Sequence, residues 1–388
     1  MFMLKIAVVT ATRAEYGILR PLIQKIDDDD DMQLDLLVTG THLSKKFGNT
    51  QQEIIKDGFK IKRKIKILEN KNTPFSISLT MANAIKKFAA YFRDEKPDAV
   101  IILGDRTEML GICIAAMNEG VPIIHLHGGE LTEGAVDDCV RHAITKISYL
   151  HFPATEVYRN RIIQLGESPD RVYNVGALGV ENILKVPLMS KEEILKDIGI
   201  QCDKYVVMTY QPVTLEHGNE EAQVSEVIQA IDQRKDFFYV ITMANADAGG
   251  DIVNKMFAEY SKTVDNVKFV SSLGMKRYLS AVKHCEFVLG NSSSGIIEAP
   301  ALGVPTVNIG DRQKGRLMPE SVINCPAEKE AILAAIKIAE HMEHKPILLY
   351  GDGNTSEKIV SVIKQKLKNK VNLKKEFYDL NISNMPNI

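Results

Sequence analysis

Short apolar runs rich in Val, Ile and Leu recur along the chain, separated by longer stretches whose apolar positions return every three or four residues. The runs 6–9, 34–38, 99–103, 123–126, 150–152 and 172–175 predict strands in the first half, and 205–209, 238–242, 267–270, 287–289 and 304–309 in the second. Between them, 17–26, 81–92, 108–117, 155–165, 222–231, 275–282 and 331–339 predict helices. The runs are continuous rather than alternating, which marks strands covered on both faces, and strand, helix, strand order is that of a parallel sheet. The pattern pauses over 177–203, where Lys185-Val186-Pro187 and the charged helix 191–199 read as a junction. The expected architecture is therefore α/β, with two Rossmann-like, doubly wound domains at 1–177 and 178–355. A basic helix beginning at Ser356 and a tail to 388 follow, and the helix is expected to pack back on the first domain. The five-aspartate run Asp27–Asp31 is expected in a solvated loop, because like charges in a row repel. The tail from Phe377 onward carries few order signals.

Composition adds bounds. A chain of 388 residues that is 45% hydrophobic exceeds the size at which single cores divide. With 48 Lys and Arg against 50 Asp and Glu, the net charge of −2 gives no global reason to expect nucleic acid or an anionic membrane as partner. Five scattered cysteines without a C-x-x-C pair point to neither a disulfide framework nor a zinc site. The chain enters its first strand almost at once and has no apolar stretch of spanning length, so the cytoplasm is the expected compartment.

The chemistry-bearing residues cluster at predicted strand ends, where open parallel sheets bind ligands. Strand 287–289 runs into Gly290-Asn291-Ser292-Ser293-Ser294-Gly295, a small-residue turn opening a helix, with Glu298 about one turn further on. Backbone N–H groups and serine hydroxyls there favour a diphosphate, and Glu298 is placed to reach a ribose. A polar N-cap and a solvated glutamate are the plainer alternative. The loop after the first strand presents Arg13 but lacks G-x-G-x-x-G, which argues against a dinucleotide. Gly104-Asp105-Arg106 and His127-Gly128-Gly129-Glu130 end two further strands. Taken alone, Asp105 is as readily an N-cap as a catalytic group, whereas the paired glycines before Glu130 let backbone approach a ligand. Asp137, Asp138 and Arg141 stand on the first turns of a helix, where dipole compensation is the competing role and suffices for Asp138. His125 and His142 read as structural. In the second half, Gln211-Pro212-Val213-Thr214, Asn245-Ala246-Asp247 and Gly310-Asp311-Arg312-Gln313 complete one wall of a cleft. Tyr278 reads as a core aromatic that also lies where a base could stack.

These motifs, together with Val38-Thr39-Gly40-Thr41-His42 and Arg141-His142-Ala143-Ile144-Thr145-Lys146, resemble in order and over nearly the whole chain the UDP-N-acetylglucosamine 2-epimerases, in particular the hydrolysing members of sialic acid synthesis. The resemblance implies a glycosyltransferase-B-like fold with the sugar nucleotide between two domains, a homodimer or homotetramer, and no metal or redox cofactor. It places Arg13 and Arg106 in the cleft. Ser292, Ser293, Gly295 and Arg312 fall on the diphosphate, Glu298 on the ribose, and Tyr278 with Asn245 near the uracil. Asp105, Glu130, Asp137, His127 and Arg141 fall around the reacting sugar. His127 stands where many non-hydrolysing members carry glutamate, and Gln211 where hydrolysing members carry histidine; a glutamine cannot carry a proton through a reaction. Either that histidine is dispensable, or activity is weakened here, or a neighbour such as His127 or His217 serves in its stead. The reaction implied is loss of UDP and the C2 proton to give 2-acetamidoglucal, then addition of water to release N-acetylmannosamine. An acid and a base among Asp105, Glu130, Asp137 and His127 suffice. The alternatives left open are a diacetamido sugar as substrate, a non-hydrolysing epimerase, and a sugar-nucleotide binding protein without turnover.

Overall fold

The computed structural model describes residues 3–69, 71, 73–132, 136–212, 219–245, 249–369 and 371–380. Among them, twelve strands form two all-parallel sheets. The first contains β1 (Leu4–Thr10), β2 (Met32–Val38), β3 (Ile61–Lys64), β4 (Ala99–Leu103), β5 (Ile123–Leu126) and β6 (Leu150–Phe152), in the spatial order β3-β2-β1-β4-β5-β6. The second contains β7 (Tyr205–Thr209), β8 (Phe238–Thr242), β9 (Val267–Val270), β10 (Val288–Gly290), β11 (Thr306–Ile309) and β12 (Val322–Cys325), in the order β12-β11-β10-β7-β8-β9. The strand residues of β4, β5, β7 and β11 are buried throughout, as expected for sheets with helices on both faces. The strand order reverses between β1 and β4 and between β10 and β7, and the loops leaving those four strands open side by side into a crevice.

Several sequence expectations need correction. Val172–Val175 forms no strand; a single bridge joins Val172 to His151 beside β6. Pro169–Arg171 has just made a tight 3-10 turn, and the chain then leaves the sheet edge for the second domain. The edge strands β3 and β12 escaped the pattern because they are short, and because β3 reads Ile-Lys-Arg-Lys with three of its four side chains exposed. The supposed junction contains the helix Leu178–Lys185, which is mostly buried. Its Glu181 takes the Ser356 N–H and hydroxyl, both at 2.6 Å, anchoring the start of the helix Thr355–Leu367. That helix buries Ile359, Val360, Ile363 and Leu367 in the core cluster of β1, β2 and β4.

The aspartate run is not merely solvated. Asp27 closes the helix Arg13–Asp27, and Lys364 pairs with Asp29 at 3.0 Å and with Asp31 at 2.7 Å. The described part of the tail is also held. Lys375 pairs with buried Glu167, Phe377 lies against Gly166, and Tyr378 N–H donates to Gly166 O at 3.0 Å. No helix among the described residues is long and apolar enough to cross a membrane.

Candidate active site

The helix Arg13–Asp27 begins directly after β1. Thr12 and Glu15 form a capping box there, with Thr12 N–H donating to Glu15 Oε2 at 2.9 Å, and the first helical residue, Arg13, is carried toward the cleft. Across the crevice, β10 ends at Gly290, whose φ is +125° and where a Cβ would lie 2.1 Å from Thr209 O; only glycine lets β10 pack this closely on β7. The helix Ser294–Ala301 starts immediately afterwards; its N-cap Ser293 makes no side-chain capping bond, and Ser292 closes the turn instead, its Oγ accepting from Ser294 N–H at 3.3 Å and its carbonyl from Gly295 N–H at 3.1 Å. A cleft of about 950 Å³ lies between the two domains, lined by Arg13, Gln211, Asn245, Tyr278, Ser292, Ser293 and Glu298 among others. Of the binding candidates, these share one cavity.

Three do not line it. Gly295 turns away, toward β11, where Thr306 Oγ1 donates to its carbonyl at 2.7 Å and leaves no room for a Cβ. Arg106 pairs with Glu108 at 2.7 Å on the next helix, Thr107–Asn118. Arg312 stands beside the cradle, donating to Asn291 O at 3.3 Å. Gln211 is buried and serves as a strap: its N–H donates to Asn291 Oδ1 at 2.6 Å, and its Oε1 accepts from Asn245 N–H at 2.8 Å. Thr214, His217 and Asp247 lie outside the described residues.

The carboxylates assemble at the ends of β4 and β5. Arg141, 1% exposed, donates to Asp105, to Glu130 O at 2.9 Å, to Thr132 Oγ1 at 2.8 Å and to Asp138 at 3.3 Å. Asp105 is therefore not an N-cap; Arg106 holds that position. Asp138 does more than face a helix dipole, since it also accepts the Thr132 N–H at 2.6 Å and fixes the loop to the helix Val136–Ile147. Asp137 stands one helical turn before Arg141 on the same helix. Burial would raise the Asp105 carboxyl, but the Arg141 and Arg316 guanidiniums hold it below the usual range. The Glu130 carboxyl is likewise raised by burial but more strongly lowered by Arg316, His127 and Arg141, and lies at about 2.

Arg316 is the residue sequence reasoning missed. It comes from the second domain, and its Nη1 lies 2.6 Å from Glu130 Oε2. The glycines before Glu130 serve packing rather than a ligand: at Gly129, with φ +78°, a Cβ would lie 2.3 Å from Tyr158 O. His125 is buried and structural, bonded to Gly104 O at 2.8 Å, and burial lowers its imidazole to about 3, so it stays neutral. Burial does the opposite to Glu298, raising its carboxyl to about 7 with Oε2 left without a partner.

Two helix starts and an arginine thus face a cavity sized for a nucleotide, beside a shielded cluster of carboxylates. The signature of the UDP-N-acetylglucosamine 2-epimerases matches residues 24–364. The chain belongs to that family. It is 39% identical over 386 residues to polysialic acid biosynthesis protein P7 of Escherichia coli, covering 97% of this chain and 98% of that protein. It is 41% identical over 322 residues to the hydrolysing GDP/UDP-N,N'-diacetylbacillosamine 2-epimerase of Campylobacter jejuni, covering 82% and 84%. The fold is that of the UDP-GlcNAc 2-epimerase from Neisseria meningitidis solved with UDP-GlcNAc, at a TM-score of 0.78 and 20% identity over 94% of this chain and 100% of that one. In this epimerase-family chain the cleft is where the two doubly wound domains meet.

Proposed function

We propose that the chain is a hydrolysing UDP-N-acetylglucosamine 2-epimerase, converting UDP-GlcNAc and water to N-acetylmannosamine and UDP for surface polysaccharide synthesis. The observation that carries this is the cleft at the end of β10, lined by Arg13, Ser292, Ser293 and Glu298, in a fold that also gathers the anionic Asp105 and Glu130 at the ends of β4 and β5. In the substrate the C2–H and C1–O bonds lie antiperiplanar, so both leave together and C1 becomes oxocarbenium-like. Arg13, Arg312 and the N–H groups of Ser292 and Ser293 stabilise the departing diphosphate. Asp105, kept ionised by Arg141, supplies countercharge near C1. Water then adds to the glycal, its oxygen to C1 and a proton to the opposite face of C2, giving the manno configuration.

A second reading, an N,N'-diacetylbacillosamine nucleotide as substrate, is favoured by the 41% and 35% identical relatives from Campylobacter jejuni and Legionella pneumophila that bear that activity in their names. UDP release measured in parallel with both sugar nucleotides separates the readings: the larger kcat/KM identifies the substrate, and release from neither refutes both. The working unit is a homodimer or homotetramer in the cytoplasm, with no cofactor.

Three results are expected at the cleft. Arg312→Ala weakens UDP by about 2 kcal/mol, roughly thirtyfold in Kd, because a charge-assisted contact to the diphosphate is lost; an unchanged Kd by calorimetry removes Arg312 from the site. Turnover survives exhaustive chelation, because arginines and helix N–H groups neutralise the diphosphate; a strict requirement for added magnesium or manganese would contradict this. With Glu298 at about 7 in the free protein, ribose hydroxyls donating to its anion lower it, so UDP binding at neutral pH releases a fraction of a proton. Calorimetry in two buffers reads that release, which Glu298→Gln should abolish in part; equal release in both proteins takes Glu298 off the ribose.

A further inference from the structure

His127 is a non-glycine residue with φ +61°, a left-handed conformation that histidine, asparagine and aspartate tolerate better than most. Its Nδ1 lies 3.0 Å from Glu130 Oε1, and its Nε2 is buried without a partner. An ionised carboxylate only accepts hydrogen bonds, so Nδ1 carries a proton, and in the neutral ring Nε2 is then the lone-pair nitrogen. His127 lies close enough to the cleft-lining Glu298 to influence its carboxyl.

Glu130 has no such freedom. One oxygen faces His127 and the other faces Arg316, and the whole residue is 2% exposed. Arg316 itself sits on a loop pinned at two places. Upstream, Arg312 and Gln313 both donate to Asn291 O, at 3.3 and 2.8 Å, inside the diphosphate cradle. Downstream, Leu317 N–H donates to Tyr158 OH at 3.0 Å, and Tyr350 OH donates to Leu317 O at 2.6 Å. One loop therefore joins the nucleotide side of the cleft to the carboxylate side.

We propose that Arg316 is a positioning residue that acts through Glu130 to orient His127, and that His127 Nε2 accepts the C2 proton, so the base is assembled by the same loop that holds the diphosphate. The inference rests on the epimerase reading above. In the step itself, the Nε2 lone pair takes the proton from C2, and the C2–H electron pair becomes the C1–C2 π bond. The C1–O bond breaks with its electrons leaving on the diphosphate oxygen as UDP. The imidazolium, facing Glu130, later returns its proton to solvent. Glu130, held as an anion at about 2, is too weak a base for this step and well suited to orient and then stabilise an imidazolium.

The test is a double-mutant cycle on the full chain, read by UDP affinity, by kcat and KM, and by deuterium entry at C2. His127→Gly, which keeps the left-handed turn, should lower kcat by about 10²-fold or more with UDP affinity unchanged, and added imidazole should restore about tenfold. Arg316→Met should lower kcat by about tenfold or more with KM within about twofold, and should cost nothing further in the His127→Gly background, because it acts through the missing ring. If Arg316→Met does not fold, Arg316→Lys carries the same cycle with a smaller loss. Independent, multiplying losses or wild-type kcat in Arg316→Met would overturn the positioning role. Full turnover in His127→Gly would overturn the base assignment. Wild-type protein that binds UDP but consumes no sugar nucleotide would sink the epimerase reading itself.

Discussion

Replacing Arg141 by methionine is expected to destabilise the chain by about 3–5 kcal/mol, because one buried guanidinium compensates two carboxylates and satisfies a carbonyl and a hydroxyl. Methionine fills much of the volume but leaves Asp105 and Asp138 beside a buried, uncompensated space. Lysine in the same place restores charge without the fork, and should recover only part of the loss. Thermal or denaturant unfolding reads this directly. A change under about 1 kcal/mol would mean that solvent reaches Asp105 and Asp138 freely and that Arg141 is not the keystone of the β4 and β5 ends.

Asp105→Asn is the catalytic counterpart. An amide can still accept from Arg141, so the fold and the diphosphate cradle should persist, with UDP affinity within about twofold. The negative charge opposite C1 is lost, and kcat should fall by about 10²-fold or more. Equal loss in kcat and kcat/KM is the pattern of an interaction made only in the transition state. If kcat is retained, Asp105 only holds Arg141 in place, and the countercharge passes to Asp137.

Much of this arrangement is legible in the sequence because parallel strands announce themselves. Runs such as Val100-Ile101-Ile102-Leu103 have no polar face, and the residues that follow them must lie at the ligand-binding edge whatever the details of packing. Hence Arg13, Gln211, Asn245, Tyr278, Ser292, Ser293 and Glu298 could be gathered into one cleft before any coordinates. What escaped depends on partners rather than on local pattern. Val172–Val175 has the composition of a strand but lacks a full neighbour to pair with. Gly128-Gly129 looks like room for a ligand and is instead room for the Tyr158 carbonyl. Arg316 reads as one more basic residue in a polar loop; only the meeting of the two domains gives it Glu130. Lys375, in a tail without an apolar period, is ordered by buried Glu167 on the first domain. Ion pairs between distant segments leave no periodicity to read.

The central claim is that C2 of the sugar loses its proton, regains one from solvent on the other face, and is released free of UDP. Incubation with UDP-N-acetylglucosamine in deuterated water, followed by NMR, tests it most directly. The account predicts free N-acetylmannosamine carrying deuterium at C2, together with one equivalent of UDP. Free N-acetylmannosamine that retains its original C2 hydrogen, or UDP-N-acetylmannosamine as the product, would contradict it.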